Sequence, residues 1–478
     1  MKRSADCYIA FVTCRDFCGR WRKPISLALN RRRRFSVRIE KNACRHAGRE
    51  SMNLASAPRH EESAGQPYAA VSVGPSEAGQ IMRDKVLALV PLIRREAEAG
   101  EKLGAMTPAV VNALNEVGFF KITLPREYGG YGFGARDIAE VVGAAATGDG
   151  STAWSGFVSV GLRNAFVFDE QTVSELMADA GSWVGPLMVG ASVFSQIVGD
   201  ARLVDGGFMV RGKWSFGSGC KHAKWAFVGI QWEEGGVPHR GIALLSRDQY
   251  EIVDDWHVMG LQGTSSNSIT ALDEVFVPTR RTMASAEMPI RLAKIRNRFE
   301  GVGYQTGAFG MMLTVTISNV AITLGMAKGC LQEFSQQANA RKPFNLPYDT
   351  VAETPSTQVV AGRVNAMINA AETLIHGVAD EVDRRAASGL DFEPREEALN
   401  TMNLVFAARL CADAIDMMQI CLGSSTVTLK NPIQRFARDA RVLISHGAIR
   451  QDPAAEIAGR HVLGLPPFKM FAGGLPQK

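Results

Sequence analysis

The spacing of hydrophobic residues changes twice along this chain, and this change limits its possible folds more than any other feature. Over residues 81–147 apolar residues recur every three or four positions, as on one face of a helix. Residues 183–285 instead contain short apolar or alternating runs broken by glycine, which is typical of strands. Helical spacing returns over residues 300–460. The pattern predicts an α+β protein with an N-terminal helical domain, a central antiparallel β domain and a C-terminal four-helix bundle.

The same pattern sets the expected boundaries. The predicted domains are residues 78–182, 183–285 and 286–478, preceded by a leader of residues 1–77. Thr107 followed by Pro108 is a typical start of the second helix, since proline suits the first helical position. Long bundle helices are predicted over residues 311–336, 358–387 and 397–422.

The leader differs from the rest of the chain in charge. Residues 1–50 hold 14 Lys or Arg against 4 Asp or Glu, whereas residues 51–478 hold 39 against 44. We interpret the leader as disordered, or as sequence upstream of a true start at Met52; a nucleic-acid arm or a transit peptide is the alternative. The mildly acidic body favours neither nucleic acid nor an anionic membrane as a partner.

Cysteine spacing and hydropathy exclude further classes. Four of the eight cysteines fall in the leader, and the others are too scattered for a disulfide scaffold or a zinc site. No apolar run approaches the roughly 18 residues of a membrane span, and the apolar stretch after Tyr8 is too short for a signal peptide. We therefore expect a cytoplasmic protein without a metal site.

Four segments carry a recognisable pattern in a fixed order. They are residues 124–133 (LPREYGGYGF), 261–269 (LQGTSSNSI), 275–278 (VFVP) and 434–440 (QRFARDA). Together they resemble the acyl-CoA dehydrogenase superfamily over roughly residues 80–465. The resemblance implies that superfamily's order of helices, β domain and helix bundle.

Three further features are similar to one branch, the two-component flavin monooxygenases that include 4-hydroxyphenylacetate and 3-HSA hydroxylases. Residues 212–225 (GKWSFGSGCKHAKW) and 256–264 (WHVMGLQGT) resemble those aromatic hydroxylases. Where dehydrogenases often have a catalytic Glu in a Tyr-Glu-Gly-Thr run, residues 445–448 read Ser-His-Gly-Ala. A carboxylate removes a substrate α-proton, whereas an imidazole exchanges protons near neutral pH.

This resemblance implies an oxygenase that receives reduced FMN or FAD from a separate flavin reductase. Oxygen would add to flavin C(4a), and the resulting hydroperoxide would hydroxylate an aromatic or heteroaromatic molecule in a site that excludes water. A homotetramer or a homodimer is implied, with the pocket between the β domain and the bundle closed by a neighbouring subunit. The alternatives are an acyl-CoA dehydrogenase-type flavoenzyme, an N- or S-oxygenating member of the fold, and a non-catalytic flavin-binding protein.

Site residues follow from the same resemblance. His446 is the candidate proton handler, with helix capping as its alternative role, and Ser218 is the candidate hydroxyl beside the flavin's central-ring nitrogen. The other candidates for flavin contacts are Trp154, Ser192, Trp214, Gln262, Thr264, Ser265, Gly423, Ser424 and Ser425. Core packing is an equal alternative role for Trp154. Turn formation is an equal alternative role for the hydroxyl residues at 264–265 and 424–425.

Two positions differ from the phenol hydroxylases of this branch, and for three other residues a structural role is expected. Gly161 stands where those enzymes have histidine, and Gln262 where they tend to have arginine, which weakens the case for a simple phenol and for the usual flavin contact. His222 is expected on a surface loop, and Arg438 and Asp439 are expected to form an ion pair in the bundle.

Overall fold

Helices form the first part of the fold. The computed structural model describes residues 74–192, 199–466, 469–470 and 476–477, so the predicted leader lies almost wholly outside the described residues. Thr107 accepts the Val110 N–H and Pro108 opens the second helix, as predicted. The elements are α1 (Glu77–Leu103), α2 (Pro108–Glu116), α3 (Ala135–Ala146), α4 (Gly150–Phe157), a 3-10 helix (Val158–Val167) and α5 (Glu170–Ala180).

A twisted sheet follows. Its strands are β1 (Met188–Ala191), β2 (Gly199–Val204), β3 (Gly207–Trp214), β4 (Trp225–Glu234), β5 (Val237–Ser246), β6 (Glu251–Ile252), β7 (Ile269–Pro278) and β8 (Thr282–Ala284). They lie in the order β6-β7-β3-β2-β4-β5-β8, with β1 also beside β4. Gly235 and Gly236 both have positive φ between β4 and β5, as a two-residue hairpin turn requires.

The sheet is not purely antiparallel, which corrects the prediction. β4 runs parallel to β1 along residues 225–228 and parallel to β2 along residues 230–231. β2 and β3 form an antiparallel pair, and the segment after β3 carries the chain across β2 to its far side. Two reversals of direction leave β4 parallel to its new neighbour, a result of topology that residue alternation does not encode.

The C-terminal region is a helix bundle. After α6 (Met288–Ile295) and α7 (Val302–Gln305) come α8 (Ala308–Ala340), α9 (Pro355–Ala387), α10 (Pro394–Leu422), α11 (Pro432–Ile444) and α12 (Gln451–Val462). The three predicted long helices fall within α8, α9 and α10. Short strands β9 (Lys469–Met470) and β10 (Pro476–Gln477) pair with each other.

Helix α8 is the core of this bundle. Its length and apolar composition meet the requirement for a membrane span, contrary to the expectation from apolar runs, but 78% of its most apolar stretch is buried inside the protein. It packs against α3, α9 and α10, and residues such as Ile317, Val320 and Leu324 belong to the largest apolar core. The hydrophobicity of α8 is therefore accounted for by neighbouring helices.

Candidate functional site

A chain of hydrogen bonds connects α4, the loop after β3 and the loop before β7. The Trp154 indole N–H donates to Ser218 Oγ at 3.0 Å, and Ser218 Oγ lies 2.8 Å from Ser266 Oγ. Ser266 Oγ lies 2.7 Å from Thr264 Oγ1, which donates to the Leu261 carbonyl at 2.8 Å. We call Trp154, Ser218, Ser266 and Thr264 the hydroxyl chain.

The two ends of the hydroxyl chain fix the direction of every proton in it. The indole is only a donor and the Leu261 carbonyl only an acceptor, while each hydroxyl has a single hydrogen. Thr264 uses its hydrogen on Leu261, so Ser266 must donate to Thr264 and Ser218 must donate to Ser266. With all bonds formed, half-buried Ser218 retains an acceptor lone pair but no free hydrogen.

Local structure holds Ser218 in place. Gly217 N–H donates to the Asn267 carbonyl at 3.1 Å, and Gly219 N–H donates to the Thr264 carbonyl at 2.9 Å. Gly219 has a φ of +80°, and a Cβ there would come within 3.1 Å of the Val158 side chain. Glycine thus permits both the turn and the close approach of Val158.

His446 lies at the outer end of the hydroxyl chain. Its ring centroid is 5.1 Å from that of Trp154, edge to face, and the Phe157 ring is 5.1 Å from Trp154 on another side. His446 Nδ1 accepts the Ala448 N–H at 3.3 Å, which is the capping role considered above. The neutral imidazole then carries its proton on Nε2. The residue is solvent-exposed, and partial desolvation of its ring lowers the pKa of His446, which favours this neutral form.

Helix α11 holds the loop of residues 259–266 through two side chains. Asp439 Oδ1 accepts the Leu261 N–H at 2.6 Å, and Arg438 Nη1 donates to the Met259 carbonyl at 2.6 Å. Arg438 pairs with Glu101 on α1 at 2.7 Å rather than with Asp439, which corrects the expected ion pair. Asp439 and Arg438 of α11 therefore both hold the loop, through the Leu261 N–H and the Met259 carbonyl respectively.

Two buried carboxylates lie in this region. Asp149 caps α4 by accepting the Thr152 N–H at 2.7 Å, and among the described residues Asp149 Oδ1 and Asp439 Oδ2 have no hydrogen-bond partner. Burial, and then the charge of Asp149, raise the pKa of Asp439 to about 8; burial also raises the pKa of Asp149. The pair therefore retains a proton at neutral pH. We call Glu101, Asp149, Arg435, Arg438 and Asp439 the charge cluster, in which Arg435 contacts Glu101 at 3.1 Å.

Several predicted flavin contacts lie elsewhere. Trp214 is fully buried in the core of the sheet, and its indole donates to the Gly229 carbonyl at 2.7 Å, so packing accounts for it. Ser192 has a φ of +49° and donates to the Ser215 carbonyl at 3.1 Å. Gln262 donates to the Val258 carbonyl at 2.9 Å within its own loop. Ser265 is buried beside the hydroxyl chain, but no residue in the described part of the chain hydrogen-bonds its Oγ.

The run from Gly423 to Ser425 follows the end of α10. Arg341 donates to Ser425 Oγ and, at 3.1 Å, to the Leu422 carbonyl. Gly423 has a φ of +76°, and both Ser424 and Ser425 are exposed. Within the part of the chain that the structure describes, the hydrogen bonds of Ser425 connect it to Arg341 and its own turn and not to Ser218.

His222 is not a surface loop residue, which corrects the sequence-based expectation. It is half-buried, and its Nε2 accepts the Met106 N–H at 3.1 Å. Burial, followed by the charge of Lys221, lowers the pKa of His222 to about 4. The imidazole is therefore a neutral acceptor that joins the sheet to the first helices.

Sequence reasoning did not predict the central role of Ser266 or the support from Asp439. Thr264 ends a 3-10 helix and Ser265 has a φ of +44°, so the segment is not extended and the alternation of a strand does not apply to it. The approach of Thr264 and Ser266 depends on this turn, for which the sequence gives no signal. Nothing in the sequence near Asp439 indicates that it binds a loop 178 residues away.

Comparisons with known proteins agree with this architecture. Models of the acyl-CoA dehydrogenase N-terminal and C-terminal domains match residues 77–168 and 317–451. The oxygenase subunit HsaA of a flavin-dependent monooxygenase from Mycobacterium tuberculosis (strain ATCC 25618 / H37Rv) is 33% identical, over 79% of this chain and 94% of that protein. The oxygenase component of an FADH(2)-dependent resorcinol hydroxylase from Rhizobium sp. (strain MTP-10005) is 28% identical, over 80% and 94%. The crystal structure of HsaA from M. tuberculosis superposes with a TM-score of 0.73 at 29% identity, over 82% of this chain and 99% of that one.

Proposed function

Because this chain belongs to the family of flavin-dependent monooxygenase oxygenase subunits with the acyl-CoA dehydrogenase fold, we propose that it uses reduced flavin and O2 to hydroxylate an aromatic or heteroaromatic small molecule. Either FMN or FAD fits this proposal, and a separate flavin reductase is the implied protein partner. Relatives include oxygenase components for resorcinol and p-hydroxyphenylacetate.

The direction of protons in the hydroxyl chain is the observation that carries the proposal. A reduced flavin has a hydrogen on its central-ring N5 and is a donor there, whereas the oxidised ring has only a lone pair. Ser218 offers an acceptor once its hydrogen is committed to Ser266, so it suits the reduced form. Binding the oxidised ring would require Ser218 to withdraw its hydrogen from the chain and leave a buried oxygen unpaired.

The chemistry that a reduced flavin supplies, when bound, is two-electron activation of O2. Buried Trp154 and Thr264, with the Phe157 ring against Trp154, shield one side of half-buried Ser218 from water. His446 carries its proton on Nε2, since Nδ1 is occupied by the Ala448 N–H. For a proton handler, this favours donation of a hydrogen bond to a reacting oxygen atom over abstraction of a proton from a phenol.

Rapid mixing tests the proposal. Protein loaded anaerobically with reduced FMN or FAD is mixed with O2 in a stopped-flow spectrometer. We expect a transient whose absorption differs from both reduced and oxidised flavin; direct return to oxidised flavin would contradict the proposal. Bleaching of bound oxidised FAD by an acyl-CoA thioester would instead support the dehydrogenase alternative.

Equilibrium binding tests the part assigned to Ser218. Titration of the protein with each form of the flavin should give tighter binding of the reduced form, by about tenfold for one well-placed hydrogen bond. In Ser218→Ala that preference should disappear while oxidised flavin binds as before. Equal preference in both proteins would show that another group selects the reduced form.

Apolar side chains exposed near the end of α10 support self-association. Ile420 is 77% exposed, Leu429 73% and Val427 64%. Exposed apolar side chains of this kind occur at protein interaction sites. We propose a cytoplasmic homo-oligomer, most simply a tetramer, in which Gly423–Ser425 contact the flavin only of a neighbouring copy. Light scattering should show more than one chain per particle, and Ile420→Glu with Leu429→Glu should reduce that number.

A further inference from the structure

Arg163 is a buried cation without a counter-charge. Arg163 lies in the 3-10 helix of residues 158–167 and is 9% exposed. Nη2 makes a long hydrogen bond of 3.4 Å to the Thr306 carbonyl, and Nε has no partner. The guanidinium carbon lies 5.5 Å from the centre of the Tyr304 ring. In the described part of the chain, no carboxylate forms an ion pair with Arg163.

Such an arrangement is unfavourable for the protein alone. A guanidinium has five N–H donors, and the contacts above use one of them. Removing a charge from water is costly unless an opposite charge and further hydrogen bonds replace the solvent. Burial lowers the pKa of Arg163 to about 10, so the side chain still carries its charge at neutral pH. The other buried arginine near the site, Arg435, is 8% exposed and has Glu101 beside it.

The helix that carries Arg163 starts at the hydroxyl chain. Its first residue, Val158, packs beside Gly219, next to Ser218, and the preceding Phe157 contacts the Trp154 ring. A 3-10 helix rises about 2 Å per residue, so Arg163 lies roughly 10 Å along the helix from Val158.

We propose that Arg163 binds the carboxylate of the substrate, so that the enzyme acts on an aromatic acid whose ring lies toward Ser218 and His446. This inference rests on the proposed function and names its substrate class. A carboxylate matches the planar fork of a guanidinium with two parallel hydrogen bonds and supplies the missing negative charge.

The test compares aromatic acids with their neutral amides on flavin-free protein and on the reduced-flavin complex. The probes are 4-hydroxybenzoate, 4-hydroxyphenylacetate and indole-3-acetate, each paired with its amide and measured by calorimetry. We expect at least one acid to bind about tenfold to a hundredfold more tightly than its amide, as for a hydrogen-bonded buried charge. Arg163→Met should abolish that preference without weakening amide binding, and Arg163→Lys should retain part of it.

Arg202→Met is the matched control, because Arg202 is an exposed arginine that pairs with Glu274 on the sheet. It should leave both affinities unchanged. Thermal unfolding without ligand is the second readout: Arg163→Met should unfold at the same or a higher temperature, since it removes an uncompensated charge.

Three results would overturn the proposal: no acid preferred over its amide, an equal loss of acid and amide binding in Arg163→Met, or a lower unfolding temperature of that variant without ligand. The last two would assign Arg163 a structural role with Thr306 and Tyr304. Because calorimetry on flavin-free protein involves no oxygen chemistry, failure of the oxygen reaction would count against the proposed function and leave the assignment of Arg163 to be decided separately.

Discussion

The loop of residues 259–266 has two sides that differ in charge. Toward Ser218 it presents Thr264 and Ser266, whose hydroxyls are neutral and buried. Toward α11 it is held by Arg438 and Asp439 of the charge cluster. The charged side chains lie on the α11 side of the loop. The neutral hydroxyls lie on the Ser218 side, where the reaction is predicted to occur. The comparison indicates that the protein fixes the loop with charged side chains on one side and presents neutral hydroxyls to Ser218 on the other.

The strongest test of the charged side is Asp439→Ala. The variant leaves the buried Leu261 N–H without an acceptor, and we expect a loss of about 3 kcal/mol in the free energy of unfolding. Reduced-flavin affinity should fall as well, because the loop carries Thr264 and Ser266. Urea unfolding and flavin titration measure the two effects. Asp416→Ala, which removes an exposed pair with Arg441 on the same helix, should cost less than about 1 kcal/mol.

At the neutral side, the largest effect is expected from His446→Asn. Loss of the proton on Nε2 should slow product formation about a hundredfold, the lower range for positioned proton transfer, with little change in flavin affinity. Single-turnover product analysis and flavin titration separate these quantities. The exposed His257→Asn is the control. An unchanged ratio of product formed to O2 consumed in His446→Asn would leave His446 only its capping role.

A smaller effect is expected from Ser218→Ala. The substitution removes one acceptor for the flavin and leaves the Trp154 N–H unpaired, at about 1 kcal/mol of stability and about tenfold in product per flavin oxidised. Product and hydrogen peroxide are measured together after a single turnover. Ser265→Ala is the matched control, since its Oγ has no partner. If both variants lose product equally, the hydroxyl chain has no special role.

The last test concerns pH and returns to the charge cluster. The pKa of Asp439 is raised to about 8, so between roughly pH 4 and pH 8 the folded protein holds a proton that the unfolded chain releases. The free energy of unfolding should therefore decrease as pH rises through this range, by about 1.4 kcal/mol per pH unit for one proton. Asp439→Asn has no such proton, and its stability should depend less on pH. Parallel slopes of stability against pH would show that the proton resides elsewhere.

Local sequence signals predicted much of the fold because they act over short distances. Thr107 and Pro108 start α2 by capping, and apolar spacing located α8, α9 and α10 within a few residues. The parallel pairing of β4 was not predictable in this way. It depends on which side of β2 the chain takes after β3, and residue alternation is the same for either side.

The same distinction between local and long-range features applies to the candidate site. Ser218, Thr264 and Trp154 were identified from motif residues, and the structure brings them together. Trp214 belongs to the same motif as Ser218, yet its strand position points it into the sheet core. The sequence did not identify Arg163, because no sequence signal distinguishes a buried arginine that lacks a carboxylate from an exposed one.

The sequence by itself determined the order of helical, β and helical domains and the family's flavin chemistry, because hydrophobic period and short motifs are local properties. Only the tertiary structure decided which hydroxyls form one chain, which carboxylate holds the loop and which arginine lacks a partner. Those features depend on side chains far apart in sequence, such as Leu261 and Asp439, meeting in an interior where water cannot satisfy them.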